Sequence, residues 1–440
     1  MGLVIGVGST RPAFPYDAYY GIQWSVQSSG EPTRIGKTAL HNTLPIQSLM
    51  RRCLLKDDGT VNYYLDANDS TKTTTGANAV LDGSDGQVMV EIPDMYVRFE
   101  QDGDVQRCLM STYALPGFKK WSKDYVGAYE ATVQRTGNKL CSVVNSTADF
   151  RGCGNQSAWD GTYRSALGLP ATTISPTNFR AYARNRGASG ESKWNMMLYQ
   201  QERKLFWLFA VEYCTFNSQK EFNASLTAEG FRQGGLGNGV TNIISSQWNA
   251  YNGYNPFIPC GYTNSLGNKT GVVPFSFTEE QAEAYGGAFT TSVPSYRGVE
   301  NPFGHIFKWV DGTKILIQSN DDGGKSLFYT CDDPSKFNTS GSELTGYTYI
   351  GELPRTSGYI KSILFGDNGD IMPKEVGGGS TTYFCDYFYT DIPASGFASR
   401  ALCFGGSASA GAFAGFVYSN SSYSWSITFA NIGSRLCFIP

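Results

Sequence analysis

Charge is what the carboxy-terminal stretch of this sequence lacks. Between Gly396 and Phe438 there is no Lys, Asp, Glu, Gln, His, Met or Pro, and the only charges are Arg400 and Arg435. In a chain that is 17% charged, a window of that length would carry about seven. Histidine is scarce too, with His41 and His305 alone. None of the ten cysteines forms a CxxC pair, so no zinc-ligand spacing is present. Several lie in apolar runs such as Leu402-Cys403-Phe404 and read as small buried hydrophobes, while spacing leaves any disulfide pairing open. No stretch is long and apolar enough to span a bilayer. The amino end has too short an apolar run for a signal peptide, and Gly6 stands where a myristoylation signal needs Ser or Thr. The chain is therefore expected to be made in a cytoplasm, without signal peptide or membrane insertion. A net charge of −3 gives no reason to expect nucleic acid as a partner.

Enzyme signatures are also missing. Gly324-Lys325-Ser326 ends like a phosphate-binding loop, but Ser319 stands where that motif requires Gly. Gly6-Val7-Gly8 opens a dinucleotide fingerprint that fails at Arg11. Ser407 and Ser409 lack the spacing of a nucleophile elbow. His305, flanked by Phe303, Ile306 and Phe307, reads as a satisfied core histidine. Glu279, Glu280 and Glu283 read as the solvated face of a short helix opened by Thr278. No Asp-rich turn matches a calcium loop. The expectation is a protein that is not an enzyme and needs no cofactor or metal.

What fills the charge-poor window is Gly, Ser, Ala and aromatics, bracketed by Leu402-Cys403-Phe404 and Leu436-Cys437-Phe438. A strand buried on both faces would lose its charges, yet the many serines are hard to satisfy in a core. A flexible tail would not hold Phe413, Phe416, Tyr418, Tyr423, Trp425, Ile427 and Phe429. The composition favours an ordered display surface, where Tyr and Trp give rigid contact area and Ser, Gly and Asn adaptable hydrogen bonds.

The 440 residues, with 14% aromatics and 51 glycines, suit a β-rich globular protein. Residues 1–115 read as β structure, with alternation at Val61–Leu65 and Gln87–Ile92 and a polar loop over 67–76. A second region, 116–440, opens with a strand over Val126–Ala131. A short helix is expected near Phe179–Arg184. A long amphipathic one is expected over Lys193–Tyr213, with Gln200, Arg203 and Lys204 on its polar face. Glycines 230, 234, 235, 237, 239, 253, 261 and 267 suggest a long surface loop over 225–270. Another cluster, Gly377-Gly378-Gly379, precedes an aromatic strand over Tyr383–Tyr389.

The frame Ala401-Leu402-Cys403-Phe404-Gly405-Gly406-Ser407, then Ala414-Gly415-Phe416, then Asn431-Ile432-Gly433-Ser434-Arg435-Leu436, resembles the variable region of retroelement-diversified proteins of the phage major-tropism-determinant type. Those are receptor-binding tail proteins with a C-type-lectin fold. The segment Tyr296–Trp309 is similar to one common in the formylglycine-generating-enzyme-like branch of that fold. The resemblance implies an α+β class: a β-rich amino-terminal region for mounting and oligomerisation, then a C-type-lectin-like domain with long inserted loops and a variable display region at about 383–437. It further implies ligand contacts at Tyr383, Asp386, Tyr387 and Tyr389, at Ser407, Ser409, Phe413, Phe416 and Tyr418, and at Ser419, Asn420, Ser421, Ser422, Tyr423, Ser424, Ile427 and Phe429. Gly405, Gly406, Gly415, Trp425, Gly433 and Arg435 would form the frame, with Arg435 pairing backbone carbonyls. The implied partners are a bacterial surface receptor, glycan or protein, and other virion tail proteins around a homotrimer. A tail-associated polysaccharide depolymerase and a bacterial adhesin are the alternatives.

Overall fold

The alternating stretches fold as strands, Val61–Tyr64 and Gln87–Ile92. The computed structural model describes residues 18–155, 165–222, 243, 245–278 and 290–440. Strands dominate, and four α-helices occur among the described residues: Thr38–Thr43, Pro176–Arg184, Tyr199–Tyr213 and Ser245–Asn252. The chain is thus β-rich with few helices. The acidic segment 279–289, the glycines 230–239 and the amino-terminal motifs lie outside the described residues.

One six-stranded sheet runs in the order Trp194–Met196, Leu436–Phe438, Asp124–Gly127, Gln87–Ile92, Arg51–Leu55, Val61–Tyr64. It joins strands from before residue 115 to the last strand of the chain, so the expected boundary at 115 does not fall between sheets. Part of the predicted long helix goes into it. Trp194–Met196 pairs with Leu436–Phe438 instead of extending the helix, which begins at Tyr199. Apolar spacing alone does not separate those two outcomes, because both elements are buried.

That helix corrects a second expectation. Its supposed polar face is inside, and of its fifteen residues only Gln200 is not buried. Lys204 Nζ donates to Asp124 at 2.6 Å, and Arg203 to Asp370 at 3.0 Å. Trp207 donates to the carbonyl of Gly369 at 2.7 Å and stacks on Trp24, with centroids 5.6 Å apart. A helix enclosed on all sides keeps charges only by pairing them. The shorter helix starts one turn before the expected Phe179, because Pro176 occupies its first turn and Ser175 caps it by accepting from the amide of Asn178 at 3.3 Å.

The carboxy-terminal half builds a nine-stranded sheet. Phe307–Gln318 lies at its centre beside Phe397–Gly405, which pairs next with Gly415–Tyr423 and then Tyr387–Tyr389. Only these last three residues of the expected 383–389 strand are extended and paired. The expected surface loop is also partly interior. Phe257, Ile258, Cys260, Thr263 and Asn264 are buried, and Arg52 Nη1 donates to Asn264 at 2.6 Å. All ten cysteines are buried and free.

Candidate ligand-binding face

The missing charge has a local cause in the strand Phe397–Gly405. Ala401 and Cys403 pack into one hydrophobic cluster, while Leu402 and Phe404 pack into another on the opposite side. A strand enclosed on both faces keeps a charge only beside a buried partner, as the neighbouring strand does with Asp311 and Arg180. The buried-core reading therefore holds for this part of the window.

Which side chains reach the surface is set by a break in register. Phe404 pairs with Ser419, but the next residue, Gly405, pairs with Gly415. The residues skipped form a bulge that changes which way the strand presents its side chains. Phe416 consequently faces the core, fully buried against Phe209, Tyr296 and Phe303. From the last residue of the bulge onward, Tyr418, Asn420 and Ser422 line a cleft, while Ser419 and Ser421 turn inward. Ser421 donates to the carbonyl of Tyr389 at 3.3 Å, which fixes the two strands together.

The cleft encloses about 510 Å3. One wall is Tyr389 and Asp391, another is Tyr418, Asn420, Ser422 and Tyr423, and the connecting turn brings Ser407, Ser409, Ala410 and Phe413. Phe307 and Asn431 complete it. Phe413 lies on Tyr387, centroids 4.4 Å apart, and Phe307 meets Tyr418 edge-on at 5.1 Å. Asn420 is held by Ser422, whose amide and hydroxyl both donate to its Oδ1 at 2.9 and 2.6 Å. Asp391, largely exposed, pairs with Arg400 at 3.1 Å. Burial raises the Tyr423 hydroxyl to about 12, so it remains a donor at neutral pH.

Several expected contacts lie elsewhere. Phe416, Ser419 and Ser421 are core, as is Asp386. Asp386 accepts from the amide of Val417 at 2.9 Å, and burial holds its carboxyl well above the usual range. Tyr383 packs against the core, Ser424 is exposed outside the cleft, and Ile427 packs beside the buried Trp425 cluster. Tyr387 and Phe429 support lining rings, Phe429 by resting on Tyr423 at 4.9 Å. Phe307, Asp391, Ala410 and Asn431 were not among the expected contacts. The 387, 389, 391 alternation carried a signal for Asp391, and Asn431 lay in the quoted frame.

The expected frame is tightly packed. A Cβ at Gly415 would lie 2.0 Å from Asp386 Oδ1. Gly406 has φ +76°, and a Cβ there would meet Tyr418 at 2.7 Å. Gly405 and Gly433 are closed in by Lys308 and Ile306, and Trp425 is buried with the Arg180 guanidinium 5.5 Å from its ring. Arg435 is buried and donates to the carbonyls of Gly127 at 3.1 Å, Asn301 at 2.7 Å and Glu300. Around it lie Glu202, Lys308 and Glu130. Burial raises the Glu202 carboxyl and lowers the Lys308 ammonium. His305, also buried, is within 2.5 Å of Glu130 through Nδ1, and its Nε2 accepts from the amides of Phe257 and Ile258 at 3.2 and 3.3 Å. Each of its ring nitrogens has a structural partner.

No family model and no curated protein matches the chain. Distantly similar solved structures include PvdO from Pseudomonas aeruginosa, which is 10% identical with a TM-score of 0.34, over 82% of this chain and 98% of that one. The Major Tropism Determinant U1 variant is 12% identical with a TM-score of 0.22, over 82% of this chain and 76% of that one. At these scores neither likeness carries an argument about fold or function. Among the described residues no group of His, Cys, Asp or Glu is placed to hold a metal ion, and no helix is long and apolar enough to cross a membrane.

Proposed function

We propose that this chain is a non-enzymatic receptor-binding protein of the phage-tail type, which engages a bacterial surface receptor through the cleft between Tyr389 and Tyr423. In this reading the fold is C-type-lectin-like, the chain acts as a homotrimer in a virion tail, and residues before 115 serve in mounting. The sequence resemblance supplies those finer statements. The observation that supports the binding role is a division of labour. The cleft is lined by aromatic, Ser and Asn side chains, whereas the glycines and Arg435 beneath it are locked in packing. Such a face suits ligand contact on a rigid scaffold. A depolymerase would need two carboxylates flanking the scissile bond, and Asp391 is the one acidic side chain among the described lining residues. Adsorption of the purified chain to a panel of bacterial cells tests the reading. Binding to particular strains, abolished in a Tyr389→Ala/Phe413→Ala variant of native circular dichroism, is expected. Adsorption unchanged in that variant would refute the cleft as the contact.

A further inference from the structure

We propose that the cleft takes a neutral, hydroxyl-rich sugar ring of a surface glycan, bound without a metal ion; this rests on the receptor-binding reading above. The volume, about 510 Å3, falls in the range of small-molecule sites and leaves room for about two hexose rings. Its chemistry matches a pyranoside on both counts. Tyr389 and Phe413 are 46% and 40% exposed, so they offer apolar ring area with a negative face toward the C–H side of a sugar. Ser407 and Asn431 offer neutral groups able both to donate and to accept, as sugar hydroxyls do, and Asn420, whose Oδ1 is taken by Ser422, offers its amide N–H.

The charge pattern narrows the class. No Lys, Arg or His lines the cleft among the described residues, so a sulfate, phosphate or sugar carboxylate would be desolvated there without a counter-charge. Asp391, the lining charge, is largely exposed and already paired with Arg400. Preorganisation is built in, because Ser422 fixes the Asn420 amide before any ligand arrives.

The test uses the full chain in EDTA and two readouts. In saturation-transfer NMR, methyl glycosides of glucose, galactose, mannose and N-acetylglucosamine are compared with sialyllactose and a sulfated disaccharide. At least one neutral glycoside is expected to receive saturation, and Phe413→Ala to weaken it about tenfold. Tyr349→Ala, an exposed ring on a distant strand, should leave it unchanged. Preference for the acidic sugars, saturation indifferent to Phe413→Ala, or no response from any neutral glycoside overturns the proposal. The second readout treats adsorbing cells with periodate, which cleaves vicinal diols, or with protease. Loss of adsorption to periodate alone supports the sugar. Adsorption that survives periodate and is lost to protease overturns it while leaving the receptor-binding reading intact.

Discussion

The cleft and the buried layer behind it put neighbouring stretches of chain to opposite ends. Above, Tyr389, Phe413, Ser409 and Ser422 line the cleft, and none of them is buried. Below, Arg435 binds three carbonyls, and Asp386 sits where any Cβ on Gly415 would fall. A polar group that faces solvent is replaceable, because water substitutes for whatever it loses. One that is buried and paired leaves its partners stranded when removed. Composition alone does not separate the two: Ser419 is buried and Ser422 lines the cleft, three residues apart.

Substitutions on the two sides should break that comparison if it is mistaken. The largest losses belong below. Phe416→Ala should cost about 3–5 kcal/mol, as for other fully buried phenylalanines, and Arg435→Ala about the same, since it strands buried carboxylates. Urea unfolding measures both. Gly415→Ala follows, with a cost of about 1–3 kcal/mol from overpacking against Asp386, partly recovered in the double variant with Asp386→Ala.

A pH effect comes next. Glu202 is buried beside Lys308 and Arg435, and its carboxyl is raised from 4.5 to about 7. The native state therefore holds its proton where the unfolded chain has released it. Its contribution is complete below 4.5 and is lost as pH rises through about 7. Glu202→Gln should flatten the fall in stability across that window, as read from urea midpoints at several pH values. The smallest effects belong above, where Ser409→Ala and Tyr389→Ala should each stay within about 0.5 kcal/mol of the parent.

How far the sequence alone reached follows the same division. Strands with clean alternation, the helix beside Pro176 and the pairing of Arg435 with backbone carbonyls were legible, because each depends on local chemistry or on a recurring frame. The inward turn of Phe416, Ser419 and Asp386 was not. For Phe416 and Ser419 it depends on the bulge between Phe404 and Gly405, a property of pairing between strands, and for Asp386 on its hydrogen bond from the amide of Val417. Trp194–Met196 was misplaced for a similar reason, since its partner Leu436–Phe438 lies at the other end of the chain. Glycines 261 and 267 suggested surface, yet Gly267 packs on the backbone of Ala67 and Gly261 donates to Glu300 at 2.9 Å. A small residue marks close approach as readily as exposure.

The claim that the display side is separable from the fold is tested most directly by urea unfolding of one variant, Tyr389→Ala/Ser409→Ala/Phe413→Ala. A single cooperative transition with the parent's slope and a midpoint lowered only by the sum of three small effects is predicted. A broadened or absent transition would mean that these side chains are core, and would contradict the account.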